Sequence, residues 1–228
     1  MALWGGRFST GPADAVTKLS RSVDFDWRLA PYDIRVNMAH VSGLVRGGIL
    51  SPENGEKILG ALRELSAEVV AGSFLYEDSD EDVHSAIERG LFLKIGALGG
   101  AFRAGRSRND LVATDFKLYC IDNLLHLASS LEELIISIIK VARDHTNTVA
   151  PGFTHYQHAQ PISFAQEIAK HAHSLSRDIS RIHDWLQRNS FSPLGSGALA
   201  GSPLHNDPEK SAHELGFISS MENSIDAV

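Results

Sequence analysis

The longest uninterrupted apolar and polar pattern in the chain lies between Gly105 and Pro151, where positions 106–150 contain neither glycine nor proline. A continuous helix of that span would be about 65 Å long, against ~10–14 residues for an average globular helix. From Cys120 the apolar positions are Cys120, Leu124, Leu127, Leu131, Leu134, Ile138 and Val141. These alternating steps of four and three mark the seam of a helical bundle. A second stripe repeats the spacing at Ala165, Ile168, Ala172, Leu175, Ile179, Ile182 and Leu186. Two such helices joined by about ten residues predict an antiparallel pair, and a pair alone leaves part of its apolar stripe uncovered, so further helices are required.

Shorter patterns precede the strut. Trp27 to Val45 reads as one helix with an early Pro31 and a stop at Gly47 and Gly48. Ser51 then supplies an N-cap with Pro52 at the first helical position, and Ile58, Leu62, Leu65 and Val69 carry the apolar face to Gly72. Ser79 is expected to begin the next helix, with Asp82 three residues on in a weak capping box. Beyond Pro193 a glycine-rich segment leads to a short helix capped by Asp207, with Pro208 first and Gly216 at its end, and the final residues resemble the opening of another helix. Strand patterns are nearly absent. The fold class expected is therefore all-α: a small N-terminal helical domain over residues 1–105, then the long antiparallel helices of an incomplete central bundle over residues 106–228.

Composition narrows the function. At 43% hydrophobic and 21% charged, the 228 residues read as an ordinary folded protein. A formal charge of −7 argues against a general nucleic-acid surface, although Arg103, Arg106 and Arg108 form a local basic cluster suited to a small anion. The single Cys120 cannot form an internal disulfide and sits on the seam, which marks it as a small packing residue. The N-terminus has no secretory signal pattern and no stretch reaches the ~20 apolar residues of a membrane span, so a cytoplasmic protein is expected.

Three segments could carry chemistry. The connection Pro151-Gly152-Phe153-Thr154-His155-Tyr156-Gln157-His158-Ala159-Gln160-Pro161 is rich in polar donors, and connections host function more often than struts. Within it His155 suits acid or base work or is simply a solvated turn residue, and the His155/His158 pair lacks a third metal ligand nearby. Gly105-Arg106-Ser107-Arg108-Asn109-Asp110 places guanidinium and amide groups at a helix start, which suits either a carboxylate substrate or a solubilising cap. Asp80-Glu81-Asp82-Val83-His84 reads as an acidic helix start that leaves His84 unexplained. The glycines of PLGSGALAGSP lack the Lys-Ser/Thr of a phosphate loop, and His171 and His173 read as solvated or interhelical side chains.

Together LWGGRF (3–8), SRSVDFDWRLAPYDI (20–34), DEDVHSAIE (80–88), GRSRND (105–110), PGFTHYQHAQPI (151–162), LGSGALAGSPL (194–204) and NSIDAV (223–228) resemble the argininosuccinate lyase family of the fumarase/aspartase superfamily, in order and across essentially the whole chain. The resemblance implies reversible β-elimination of argininosuccinate to fumarate and arginine, with neither metal nor organic cofactor, by a homotetramer whose sites are shared between subunits. It implies that Thr154 holds a succinyl carboxylate, His155 moves protons, Ser22 and Asn109 hydrogen-bond substrate, Arg108 pairs with a carboxylate and His84 lines the site. Nucleic acid and membrane are not expected partners. Ala101 and Leu111 stand where such proteins usually carry lysine and glutamine, which suggests altered packing. The family's serine loop, GSSxMPQKxNP, does not occur in these residues, so this chain by itself is expected to be inactive. A non-catalytic structural relative and an adenylosuccinate-type lyase are the alternatives.

Overall fold

A computed structural model describes residues 13–204 and 206–228; the WGGRF segment lies outside them. The helices are α1 (Asp14–Ser20), α2 (Val23–Asp26), α3 (Ala30–Arg46), α4 (Pro52–Ala71), α5 (Val83–Ile95), α6 (Arg108–Asp144), α7 (Phe164–Arg188), α8 (Pro208–Leu215) and α9 (Ser224–Ala227). Two 3₁₀ segments, Trp27–Leu29 and Gly96–Arg103, precede α3 and follow α5. The fold is all-α apart from a hairpin of β1 (Val149–Thr154) and β2 (Gln157–Ser163), and a short parallel pairing of β3 (Phe191–Ser192) with β4 (Ser219–Ser220). No helix among the described residues is long and apolar enough to cross a membrane.

The chain forms two compact units: residues to Tyr119 together with Ser190–Val228, and Cys120–Asn189. This grouping differs from a division at residue 105, because the first three turns of α6 and the returning C-terminal segment belong with the N-terminal helices. The core of the first unit joins Ile34, Val41 and Leu44 of α3, Ile58, Leu62 and Leu65 of α4, and Val83, Ile87 and Leu91 of α5, closed by Phe102. Helix α4 follows its punctuation closely. The Ser51 hydroxyl accepts from the Asn54 amide at 3.2 Å, and Gly72 ends the helix at φ 69°, a left-handed cap that a side chain would strain. On the other side of α3, Arg46 pairs with Glu214 of α8 at 2.6 Å.

The start of α5 differs from expectation. Asp82, not Ser79, is the N-cap: its carboxylate accepts the Ser85 amide at 2.8 Å, while the Ser85 hydroxyl accepts the Asp82 amide at 3.0 Å. Serine can play the returning member of a capping box as well as the leading one, and here aspartate leads.

In the second unit α6 and α7 flank the hairpin. Helix α6 covers 37 residues, fewer than the 45 free of glycine and proline. It ends where the Thr148 amide turns back to the His145 carbonyl at 3.2 Å, with His145 Nδ1 3.1 Å from the Thr148 hydroxyl. The Thr148 carbonyl then accepts the Phe164 amide at 2.8 Å and closes the hairpin base. All seven stripe residues of α7 are buried or half-buried, whereas Leu127, Leu134 and Val141 of the α6 seam are exposed. His171 and His173 are exposed; Cys120 is half-buried, and burial pushes its thiol up, against thiolate chemistry.

Ile87 is fully buried between helices, and Ile87→Ala is expected to lower unfolding free energy by ~2–5 kcal/mol in a denaturant titration, whereas Leu93→Ala, at an exposed position, stays within ~0.5 kcal/mol.

Candidate active site

The first turn of α5 gathers three of the residues singled out in the sequence. Asp26 Oδ1 accepts the Val83 amide at 3.0 Å, and its Oδ2 accepts the Ser22 hydroxyl at 2.6 Å. The Ser22 amide donates to the Glu81 carbonyl at 2.8 Å. Asp82 caps the helix with Oδ1 and takes an Arg108 Nη1 donor on Oδ2. Ser22 and Arg108 are thus placed on either side of a helix start whose second residue is His84. Burial pushes the Asp26 carboxyl up, opposed by its bond from Ser22 and by the nearby His84.

His84 is 9% exposed and turns inward. Its Nδ1 bonds to Oδ2 of Asp33, whose Oδ1 accepts from the Asn37 amide group at 2.5 Å. Asn37 Oδ1 in turn accepts from Arg106 Nη1. Asp115 Oδ2 lies 3.7 Å from His84 Nδ1. Donor atoms of Asp33, His84 and Asp115 all lie within 4.8 Å of one another, the arrangement among the described residues that most resembles a cation site. One turn further along α3, His40 Nε2 is 3.0 Å from the Ala104 carbonyl and therefore donates to it. Burial, reinforced by the Arg106 charge, pulls His40 down to about 3, so it is neutral at physiological pH.

The arginine cluster does not act as one patch. Arg103 pairs with Glu88 at 3.1 Å, Arg106 bonds Asn37 and stacks 5.1 Å from the centre of the Phe102 ring, and Arg108 pairs with Asp82. Asn109 is exposed on the first turn of α6; its amide bonds the Ser107 hydroxyl at 3.2 Å and its side chain reaches the Ala198 carbonyl at 3.4 Å. Next to it, buried Asp110 accepts the amides of Gly195 at 3.1 Å and Gly197 at 3.0 Å. The glycine-rich segment therefore gives these amides to a carboxylate of the protein, which explains why its glycines do not form a phosphate cradle. Gly105 lets the two segments meet: at φ 68° a Cβ there would lie 2.6 Å from Leu204 Cδ1. Leu111 is buried and Ala101 packs on the core, so both departures from the family pattern are packing residues here.

Thr154 and His155 belong to the second unit. Thr154 pairs with Gln157, leaving His155 and Tyr156 as a two-residue turn in which both have positive φ, 50° and 59°. This is the primed turn favoured by right-twisted hairpins, built without its usual Asn-Gly, so two bulky residues carry the strain. The sequence showed only a connection at this place because Pro151, Gly152 and Pro161 punctuate it and the turn lacks its customary signature. Thr154, His155 and Tyr156 are all exposed.

Asp33 and Asp115 were missed from the sequence, but a signal for the first was present. Asp33, Asn37 and His40 fall at the four-three spacing of the buried stripe of α3, where apolar residues are the rule. Three polar residues at core positions of one helix announce a buried hydrogen-bond network.

An all-α fold whose two long helices, α6 and α7, are joined by a β-hairpin defines a class, and the family comparison agrees with it. The lyase family pattern matches residues 6–228, and the chain belongs to that family. More particularly, it is 52% identical over 228 residues to the argininosuccinate lyase of Frankia casuarinae and 48% identical over 227 residues to that of Mycobacterium leprae. These alignments cover 100% and 99% of this chain but 49% and 48% of the relatives, so the chain spans about half their length. An EDDS lyase variant solved with bound fumarate superposes with a TM-score of 0.76 at 27% identity, over 96% of this chain and 44% of that one. A Brucella melitensis fumarate lyase:delta crystallin gives the same TM-score at 18% identity, over 97% and 52% of the two chains, and shares the fold.

Tyr156 is fully exposed, so Tyr156→Gly removes strain without removing contacts, and hairpin amide hydrogen exchange is expected to slow by about fivefold, equivalent to ~1 kcal/mol. His40 binds its proton near 6.5 when unfolded and only at about 3 when folded. Its contribution to stability is therefore complete above pH ~6.5 and declines on the order of 1 kcal/mol per pH unit as the pH falls toward 3. Denaturation midpoints between pH 7 and 4 should show this decline, and His40→Gln should flatten it.

Proposed function

We propose that the natural protein is a cytoplasmic argininosuccinate lyase, which splits argininosuccinate reversibly into arginine and fumarate. The observation carrying this reading is the 48–52% identity to argininosuccinate lyases over at least 99% of this chain. In the reaction a base removes a proton from the succinyl carbon beside a carboxylate, that carboxylate takes up the developing negative charge, and the C–N bond breaks with its electron pair leaving on the guanidino nitrogen. Protonation of that nitrogen gives arginine, and the remaining carbons become fumarate.

The residue roles follow from what each group offers. Arg108 gives Asp82 a donor from Nη1, and its remaining guanidinium N–H groups can pair with a substrate carboxylate. Ser22 and Asn109 supply further hydrogen bonds, Thr154 holds a succinyl carboxylate, and His155 moves the proton; its exposed place on a primed turn suits a group that must meet substrate. His84 lines the site beside Arg108. No metal or organic cofactor enters this scheme, since carboxylate recognition and acid–base groups meet its demands.

The exposed α6 seam of Leu127, Leu134 and Val141 supports assembly as a homotetramer, with helices of other subunits covering the stripe and the sites shared between chains.

The natural protein incubated with argininosuccinate should produce fumarate, followed by its ultraviolet absorbance. His155→Asn is expected to lower kcat by ~100-fold or more. Undiminished turnover in that variant would overturn the role given to His155, and turnover of adenylosuccinate in preference to argininosuccinate would overturn the substrate.

A further inference from the structure

Asp115 presents an unresolved demand in the first unit. It is 0% exposed, and among the described residues no hydrogen-bond donor reaches either carboxylate oxygen. Asp33 of α3, Arg106 ahead of α6 and His84 of α5 act on it directly; behind them Asn37 bonds Asp33 and Arg106, His40 and Asp110 feel the Arg106 charge, and Asp26 of α2 interacts with His84. Asn37 is already engaged with Asp33, His40 with Ala104, and Asp110 with the glycine-rich loop. His84 Nδ1 stands 3.7 Å off and is bonded to Asp33, Arg106 Nη1 bonds Asn37, and a carboxylate oxygen of Asp33 lies within 4.8 Å of one of Asp115. Two carboxyl groups can bond to each other only through a proton.

We propose that Asp115 is a neutral carboxylic acid donating its proton to the Asp33 carboxylate, and that this pair positions His84 as the Nδ1–H tautomer with Nε2 left as an acceptor. Charge supports this assignment. The Arg106 guanidinium acts on Asp33, Asp115 and Asp110 together, and one cation does not balance three fully buried carboxylates. Burial and the neighbouring Asp33 charge both push the Asp115 carboxyl well above the usual carboxylate range. Asp33 then accepts from three sides: the Asn37 amide, the Asp115 hydroxyl and His84 Nδ1. Since an ionised carboxylate only accepts, Nδ1 must carry the hydrogen in this contact.

A divalent cation on the same three residues fits less well. His84 Nδ1 and the Asp33 oxygen are in direct hydrogen-bond contact, leaving no space for an ion between them, and Arg106 already supplies positive charge. Asp33 and Asp115 are therefore positioning residues, acting through His84. The part played by Nε2 toward substrate rests on the lyase reading; the tautomer does not.

The test is long-range ¹H–¹⁵N correlation spectroscopy of the labelled chain at neutral pH, with His84 signals assigned by their loss in His84→Gln. The expected result is the Nδ1–H tautomer, disturbed by Asp115→Ala and restored by Asp115→Asn, whose amide can donate to Asp33 in place of the acid. Infrared difference spectra between the native chain and Asp115→Asn should contain the carbonyl band of one protonated carboxyl group. In Asp33→Asn the His84 proton should move to Nε2, and kcat of the natural enzyme should fall by ~10-fold or more. If Asp33→Asn does not fold, the native and Asp115 spectra decide the matter alone. An Nε2–H tautomer in the native chain, the missing carbonyl band, or stoichiometric Mn²⁺ or Zn²⁺ binding abolished by Asp115→Asn would overturn the proposal. Absence of argininosuccinate turnover with the tautomer intact would remove the lyase reading and leave the hydrogen-bond assignment standing.

Discussion

The backbone amides at the start of α5 must be satisfied in a half-buried setting, and two carboxylates meet that requirement. Asp82 and Asp26 between them accept the Ser85 and Val83 amides. Each then uses its second oxygen for a side chain from elsewhere, Arg108 in one case and Ser22 in the other. The positive end of the helix favours both negative charges, and those charges hold Arg108 and Ser22 against it. Helix capping and assembly of the site are consequently one arrangement. An apolar residue at 82 would release the helix start and the arginine together.

Behind this turn lies a ladder of polar side chains in what would otherwise be the apolar seam between α3, α5 and α6. Asp33, Asn37 and Arg106 are linked in sequence, with His84 at one end. Such a network is stable in a low-dielectric interior only when each member is paired, and that condition makes it rigid. The hydrophobic core of α3, α4 and α5 supplies the surroundings, while the polar ladder fixes which way α5 is rotated. Apolar packing alone tolerates small rotations better than directional hydrogen bonds do.

The sequence was most readable where punctuation is local. The ends of α4 and α8 follow from Ser51, Pro52 and Gly72, and from Asp207, Pro208 and Gly216, because each of these residues acts through its own backbone or its nearest turn. The α7 stripe was readable for the same reason. The hairpin was not, since its turn is made of His155 and Tyr156 held in conformations that neither residue prefers, and surrounding geometry imposes them. Ser22, His84 and Arg108 could be named from motif resemblance, whereas their common anchorage could not. Asp26 lies far from residue 82 in the chain, Asp33 is marked only by its place on the buried stripe of α3, and Asp115 looks like a surface acid until α3 and α6 are brought side by side. The length of the strut was overestimated because lacking glycine and proline permits a helix without requiring one; the His145–Thr148 turn ends it.

Asp110 has an implication for how the molecule is made. Its carboxylate is tied to Gly195 and Gly197, and β3 and β4, α8 and α9 complete the same unit as the N-terminal helices. That unit is discontinuous, with residues 120–189 intervening. During synthesis the N-terminal helices emerge first, but Asp110 remains without these two glycine amides until the chain has passed through α6, the hairpin and α7. Closing so long a loop is entropically slow compared with forming any local helix. The unit whose helices emerge first therefore gains these contacts only after residues 120–189 have been made.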